Sequence, residues 1–367
     1  NHFSARYSTN FKAAQTGSMT FELEGDDGYH LFINGKKVLD AWTRNRWGAQ
    51  TYKLETVKDS TYKLVVEYWQ GEGSAKIRFS GGAFRRTDFN ALVKRYQDAD
   101  AFIFVGGISP QLEGEEMKVD LPGFSGGDRT SIMLPQAQTE LMKALKNSGK
   151  PVVFVMMTGS AIAIPWEAEN IPAIVNAWYG GQSAGTAVAD LLFGDYNPSG
   201  RLPVTFYKSD QDLANFNDYS MENRTYRYFK GKPLFGFGYG LSYTSFRYEG
   251  LTTPANIKAG KGTTLSVKIT NTGKMQGDEV VQLYVTHSDP NIKTARKALK
   301  GFQRINLAPG KSQLINFNLQ PGDLTYIDEN GQKKPLTGKI SLSVGGSQPD
   351  ETLKTSGNIL SQTLNIN

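Results

Sequence analysis

The segment Ala101–Arg129, AFIFVGGISPQLEGEEMKVDLPGFSGGDR, decides how this chain is read. Its first part, Phe102–Val105, is four apolar residues without alternation, the pattern of a parallel strand covered on both faces. Gly106 and Gly107 break that run, and the loop that follows carries Glu113, Glu115, Glu116, Asp120 and Asp128. Carboxylates just past the carboxyl end of a parallel strand stand where open α/β sheets place their chemistry. A solvated acidic loop has the same composition, so the segment alone leaves both readings open.

Outward from this stretch the period is that of helices and buried strands. Upstream, Phe89, Leu92, Val93 and Tyr96 follow the i, i+3, i+4, i+7 spacing of a helix packed on one face. Downstream, Pro135 suits a first helical turn, Leu141, Met142 and Leu145 form an apolar face, and Gly149 with Pro151 ends the helix. Val152–Met157 is a second continuous apolar strand and Ile174–Trp178 a third. Gly180-Gly181 then leads to a helix opened by Ser183, with Ala184, Val188, Leu191 and Leu192 on one face. Strands and helices alternating at these spacings predict a doubly wound α/β domain. Gly106-Gly107 is followed by Ile-Ser-Pro, not by the rest of a GxGxxG fingerprint, and there is no P-loop, so no nucleotide cofactor is expected.

Both flanks read as β. Met19, Phe21 and Leu23 alternate with polar residues, as do Tyr62, Leu64, Val66 and Tyr68. Asn34-Gly35 is the favoured dipeptide of a two-residue hairpin, because both positions need φ > 0. Beyond residue 246 alternation returns in Leu265/Val267/Ile269, Ile315/Phe317/Leu319 and Ile340/Leu342/Val344, with turn signals at Asn271-Thr-Gly, Pro309-Gly, Pro321-Gly and Asn330-Gly. That is the pattern of a β-sandwich of immunoglobulin or fibronectin type. The aromatic, glycine-rich stretch from 196 to 246 reads as a packed connection. The expected organisation is therefore a β domain over 1–82, an α/β domain over 83–246 and a β-sandwich over 247–367.

Composition removes several function classes. The 367 residues include 39 glycines and 15 prolines, suited to a turn-rich multidomain protein. The net charge of +6 is spread along the chain without a block of like charges, so no nucleic-acid partner is expected. There is no cysteine, hence no disulfide, thiol nucleophile or thiolate metal site. His2, His30 and His287 lie far apart, which disfavours histidine triads and zinc sites. No apolar run reaches the ~18 residues of a membrane span. Whatever chemistry the chain performs must use carboxylates.

Several motifs, in order, carry a resemblance. NAWYGGQSAGTAVADLLFGDYNPSGRLPVTF (176–206), RTYRYF (224–229), FGYGLSYT (237–244), VQLYV (281–285), LKGFQRI (299–305) and LAPGKS (307–312) resemble glycoside hydrolase family 3. The likeness covers nearly all of residues 84–350. It implies the α/β sandwich domain of that family followed by its fibronectin type III-like domain. TFELEGDDGYHLFINGKKVLDAW (20–42), with Tyr68 and Lys76–Phe79, is similar to the β-sandwich module named after the anthrax protective antigen, which some family members carry inside the α/β domain. By that likeness the module's first strands precede residue 1. Its Asp26-Asp27-Gly28 run holds calcium in some sugar-binding modules, but a turn-forming acidic pair is the favoured reading, since no further oxygen ligands can be named.

The resemblance also implies chemistry. Family members are retaining β-glycosidases in which an aspartate of an N-terminal barrel attacks the anomeric carbon, and a glutamate of the α/β domain protonates the leaving oxygen. Here LEGEEM followed by GGDRT matches the proton-donor loop, with Glu115 first, Glu113 second and Glu116 third as the donor. Arg224, Tyr226 and Trp178 are candidates to line the substrate cleft, with core packing the favoured role for Trp178. No aspartate of this chain stands in the nucleophile context, so a barrel domain or chain of the same enzyme is the expected partner. Gly236 stands where the family commonly has proline. A β-linked oligosaccharide or glycoside is the expected substrate, with β-xylose favoured over β-glucose and a periplasmic or secreted location. No metal is expected. The competing class is a non-catalytic carbohydrate-binding module.

Overall fold

The computed structural model describes residues 2–43, 48–83, 87–114, 117, 119–289, 292–349 and 358–367. Glu115 and Glu116 lie outside the described residues. The chain divides into two compact units, Asn1–Asp88 and Phe89–Asn367.

The first unit is a two-sheet β structure. Strands β1 (Phe3–Lys12), β6 (Thr61–Gln70), β3 (Gly28–Ile33) and β4 (Lys36–Ala41) form one sheet in the order β1-β6-β3-β4. Strands β5 (Gly48–Thr56), β2 (Gly17–Gly25) and β7 (Ile77–Gly82) form the other, in the order β5-β2-β7. Alternate side chains of both sheets meet in a core of Phe21, Leu23, Tyr29, Leu31, Ile33, Leu64 and Val66. Asn34 and Gly35 join β3 to β4 with φ of 50° and 81°, the left-handed pair their sequence calls for. Asp27 is also left-handed, at φ 64°, and is 2% exposed. Its carboxylate accepts the Gly71 N–H at 2.7 Å, so it staples the β2–β3 turn to the end of β6.

The second unit begins with helix α1 (Phe89–Lys94) and a parallel sheet of β8 (Phe102–Gly107), β12 (Val152–Met157) and β13 (Ala173–Asn176). Three short strands, β9 (Asp120–Leu121), β10 (Phe124–Ser125) and β11 (Asp128–Arg129), form a separate small antiparallel sheet between β8 and helix α2 (Gln136–Asn147). Helix α3 (Pro165–Asn170) precedes β13, helix α4 (Ala184–Phe193) follows it, and α5 (Thr225–Tyr228) is a single turn. The parallel strands are ordered β13-β12-β8, advancing in one direction without the reversal that double winding requires. Central β12 is deeply buried at Phe154, Val155 and Met156. Strand β8 corrects the expectation of a strand covered on both faces. Phe102 and Phe104 pack inward, while Ile103 and Val105 are 53% and 61% exposed: alternate side chains point to opposite faces, and among the described residues only one face of β8 is covered.

Gly106 and Gly107 end β8 for a steric reason. Gly107 has φ 124°, and a Cβ there would collide with the carbonyl oxygen of Met157 on the neighbouring strand. Gln138 of α2 clamps the same residue from the side, accepting the Gly107 N–H at 2.7 Å and donating to its carbonyl at 2.6 Å.

The rest of the unit is a β-sandwich. Strands β14 (Phe246–Thr252), β16 (Thr263–Asn271) and β19 (Ser312–Leu319) face a five-stranded sheet of β15 (Asn256–Ile257), β23 (Ile359–Ile366), β22 (Gly338–Gly345), β17 (Gly277–His287) and β18 (Ala298–Leu307). A two-stranded ribbon, β20 (Thr325–Ile327) and β21 (Lys333–Pro335), lies between β19 and β22 in sequence. The alternating triplets read from the sequence supply the core: Leu265, Val267 and Ile269 of β16, with Ile315 and Phe317 of the neighbouring β19, meet Ile340, Leu342 and Val344 of the other sheet. A buried ion pair joins this sandwich to the segment after α4. Arg201 Nη2 lies 3.0 Å from Glu279 Oε2, with the two side chains 9% and 5% exposed. Tyr248 donates to Glu279 Oε1 at 2.9 Å, and Arg201 Nε donates to the Gly346 carbonyl at 3.2 Å. Burial raises the pKa of the Glu279 carboxyl, and Arg201 pulls it back.

Two outcomes follow. Arg201→Ala strands a buried carboxylate and is expected to cost about 3–5 kcal/mol in urea-induced unfolding of the second unit. Gly107→Ala forces a side chain into a left-handed, occupied position and is expected to cost more than the ~1 kcal/mol of an ordinary loop glycine. A change below that figure would show that β8 can end without the close approach to Met157.

Candidate active site

The parallel sheet delivers three loops to one rim, and the site is built from them. In register, Gly106 and Gly107 of β8 lie opposite Met156 and Met157 of β12, whose partner Asn176 ends β13. The loop after β8 continues the strand with one bond, Ile108 N–H to the Met157 carbonyl at 2.9 Å. It then closes a single turn in which the Leu112 and Glu113 amides both donate to the Ser109 carbonyl. That turn sets Glu113 at the start of the acidic stretch.

The far side of the loop is held by the small sheet. Met117 N–H donates to the Gly126 carbonyl at 3.0 Å, and Gly126 N–H to the Val119 carbonyl at 2.8 Å. Gly127, at φ 93°, lets the backbone of Gly114 approach so closely that any Cβ would strike the Gly114 carbonyl oxygen. Strand β11 follows directly and carries Arg129.

Arg129 is the hub of the rim. Its Nη1 donates to Ser160 Oγ at 2.8 Å and to the Ala161 carbonyl at 3.0 Å, and its Nε donates to the Ser131 carbonyl at 3.2 Å. Ser160 Oγ donates in turn to Glu113 Oε1 at 2.9 Å, and Glu113 Oε1 lies 4.0 Å from Arg129 Nη1. The arginine side chain is 10% exposed and the glutamate 23%. Ser160 is fixed by its neighbour: Thr158 Oγ1 accepts the Ser160 N–H at 3.1 Å and donates to the Ser160 carbonyl at 2.6 Å. Burial lowers the pKa of the Arg129 guanidinium, against the opposing pull of Glu113, Asp210 and Tyr179. The Nη2 of Arg129 is buried and finds no partner among the described residues.

The third loop follows β13. Trp178 sits in a left-handed conformation, φ 54°, rare for a bulky residue and costly unless the surroundings enforce it. Its ring packs edge-on against Phe206 at 6.1 Å. Tyr179 lies against Gly159, where a Cβ would come within 2.8 Å of its ring. Burial raises the pKa of the Tyr179 hydroxyl, and the Glu113 charge adds to that.

The residues singled out in the sequence are therefore divided. Glu113 and Trp178 stand at the strand ends, and the outer loop candidates Glu115 and Glu116 lie outside the described residues. Arg224 and Tyr226 are elsewhere. Arg224 spends its guanidinium on backbone carbonyls, Nε to Asp218 at 3.1 Å and Nη2 to Asp218 and Asn215 at 2.7 and 2.5 Å. Tyr226 stacks on Phe237 at 4.2 Å, meets Tyr284 edge-on at 6.2 Å, and its hydroxyl accepts the Leu299 N–H at 3.3 Å. Both contacts build the junction with the sandwich. Arg129, Ser160 and Tyr179 were not singled out; the one signal for them was their place directly after strands, or in the GGDR run. Among the described residues there is no group of three or more His, Cys, Asp or Glu side chains that could hold a metal. What the rim offers is an oriented carboxylate, a hydroxyl and a buried cation.

Comparison with known proteins places this architecture. The Glycosyl hydrolase family 3 C-terminal domain matches residues 13–243, and a Fibronectin type III-like domain matches residues 279–348. A xylan 1,4-beta-xylosidase of Xylanibacter ruminicola is 41% identical over 360 residues, 96% of this chain and 41% of that protein. A beta-glucosidase of Rhizobium radiobacter is 31% identical over 381 residues, 95% of this chain and 45% of that protein. The crystal structure of a beta-glucosidase from Kluyveromyces marxianus in complex with glucose superposes with a TM-score of 0.70 at 26% identity, over 100% of this chain and 44% of that one. The chain thus spans less than half the length of these relatives. With a matching domain over more than half of its residues and a fibronectin type III-like domain behind it, the chain belongs to glycoside hydrolase family 3.

Proposed function

We propose that this chain forms the C-terminal portion of a retaining, exo-acting β-glycosidase that removes terminal β-xylosyl or β-glucosyl residues. It supplies the acid/base glutamate, and the nucleophilic aspartate comes from an N-terminal barrel outside the chain. The observation that carries this reading is the convergence of all three strand-end loops on the acidic stretch: Glu113 from β8, Ser160 from β12 and Tyr179 from β13, with Arg129 at their centre. A retaining enzyme needs a protonated carboxyl about 5–5.5 Å from its nucleophile, and a rim that fixes one carboxyl loop suits half of that pair. Glu115 is the proton donor, with Glu113 beside it.

Xylose is favoured as the sugar because the relative named xylan 1,4-beta-xylosidase matches 96% of this chain at 41% identity. A periplasmic or secreted location fits the Periplasmic beta-glucosidase of Salmonella typhimurium, 35% identical over 267 residues. No helix among the described residues is long and apolar enough to cross a membrane. The first unit is assigned as a protective-antigen-type module, residues 1–82, ahead of a family 3 α/β domain over 83–246. The fibronectin type III-like domain occupies 247–367. Trp178 and Tyr179 are the ring candidates for the cleft, and Arg224 and Tyr226 are scaffold.

The test uses this chain fused behind the part of the Xylanibacter relative that it does not match. Glu115→Gln is expected to lower kcat/KM on glycosides with poor leaving groups by about 10²–10⁴-fold, and to spare kcat/KM on an aryl glycoside whose leaving group needs no protonation. Equal loss on both substrates would count against Glu115 as the donor.

A further inference from the structure

Resting on that reading, we propose that Glu113 is a positioning residue of the proton-donor loop: through Ser160 and Arg129 it fixes the backbone that flanks Glu115, and it does not itself transfer the proton. Three observations carry this. The first is what faces the carboxylate. Ser160 donates to Oε1 at 2.9 Å and the Arg129 guanidinium stands 4.0 Å from the same oxygen, so both contacts to that oxygen among the described residues are donors'. A general acid has to present an O–H to the glycosidic oxygen. Glu113 is instead placed to accept.

The second is what Arg129 requires. A guanidinium that is 10% exposed must be compensated, and three of its contacts are to neutral oxygens: Ser160, Ala161 and Ser131. The carboxylates that oppose its loss of charge are Glu113 and Asp210. Asp210 is already engaged by Ser131 Oγ and the Ile132 N–H, each at 2.7 Å. Glu113 is therefore the anion that the loop itself contributes to hold the hub in place.

The third is where the hub acts. Arg129 belongs to the same two-residue strand as Asp128, directly after Gly126 and Gly127. Gly127 underlies Gly114, and Gly126 pairs with Met117 and Val119. Gly114 and Met117 are the described residues on either side of Glu115 and Glu116. Glu113 at one end and Arg129 at the other thus tie together the described residues that flank Glu115 and Glu116. A donor misplaced by an ångström loses about 100-fold in rate, so such a tie matters to catalysis without touching substrate.

The experiment compares Glu113→Gln, Ser160→Ala and Glu115→Gln in the fusion protein. Glu113→Gln keeps the shape of the side chain and removes its charge. It is expected to lower kcat/KM by about 10–100-fold, equally on activated and poor leaving groups, with no rescue by azide and with the basic limb of the pH–rate profile unmoved. Ser160→Ala is expected to act in the same direction. Glu115→Gln is expected to lose poor leaving groups selectively, to be rescued by azide and to lose that basic limb. The donor assignment is overturned if the selective loss and the azide rescue appear in Glu113→Gln. Hydrogen exchange on this chain by itself gives a readout independent of activity. Faster exchange of the Met117 and Gly126 amides in Glu113→Gln supports the positioning role, and unchanged exchange there overturns it. A fusion protein that hydrolyses neither glycoside removes the glycosidase reading and leaves the exchange result to decide the positioning role.

Discussion

A buried positive charge organises the functional end of this protein. The Arg129 guanidinium is withdrawn from water, and a charge so placed has to be hydrogen-bonded and faced by an anion; its Nε and Nη1 are bonded, while Nη2 has no partner among the described residues. The protein meets that need from separate loops: a hydroxyl and a carbonyl after β12, a carbonyl after β11, and carboxylates from the acidic loop and from Asp210. Because each loop gives up something to the same cation, none can shift without leaving a buried polar group unmet. The loops of the rim are thus tied to one another through a single side chain.

Steric demands upstream make the arrangement possible. Gly107 and Gly127 are both left-handed and both lie against a carbonyl oxygen that would reject any side chain. The first lets the chain leave β8 beside Met157, and the second lets the small sheet close under Gly114. A different economy holds the other face. Arg201, Glu279 and Tyr248 form a buried polar group at the junction with the sandwich, flanked by the stacked rings of Tyr226 and Phe237. Charged groups thus serve both the rim and the junction between the α/β layer and the β-sandwich.

The fold was legible where a period could be counted. Alternation in 265–269, 315–319 and 340–344 identified the sandwich core, and Asn34-Gly35 identified the β3–β4 hairpin of the first unit, since local chemistry alone determines both. Exposure of Ile103 and Val105 was not legible. An apolar run without alternation states that both faces are hydrophobic, and says nothing of which face the folded chain covers. The site was legible only in part. The acidic loop is contiguous and was found by its position after a strand. Ser160 is 31 residues from Arg129 and 47 from Glu113, so its role exists only after folding. Arg224 and Tyr226 were cleft candidates by the resemblance, and their bonds to the backbone carbonyls of Asn215 and Asp218 and to the Leu299 amide could not be read from the sequence.

The stereochemistry of hydrolysis tests the central claim, that this chain brings the acid/base half of a retaining site to a nucleophile on another domain. The measurement is proton NMR of the first sugar released from an aryl β-xyloside by the fusion protein, before mutarotation. The account predicts the β-anomer, formed only when the chain and the barrel are both present. First release of the α-anomer, or hydrolysis at the same rate by the barrel portion without this chain, would contradict it.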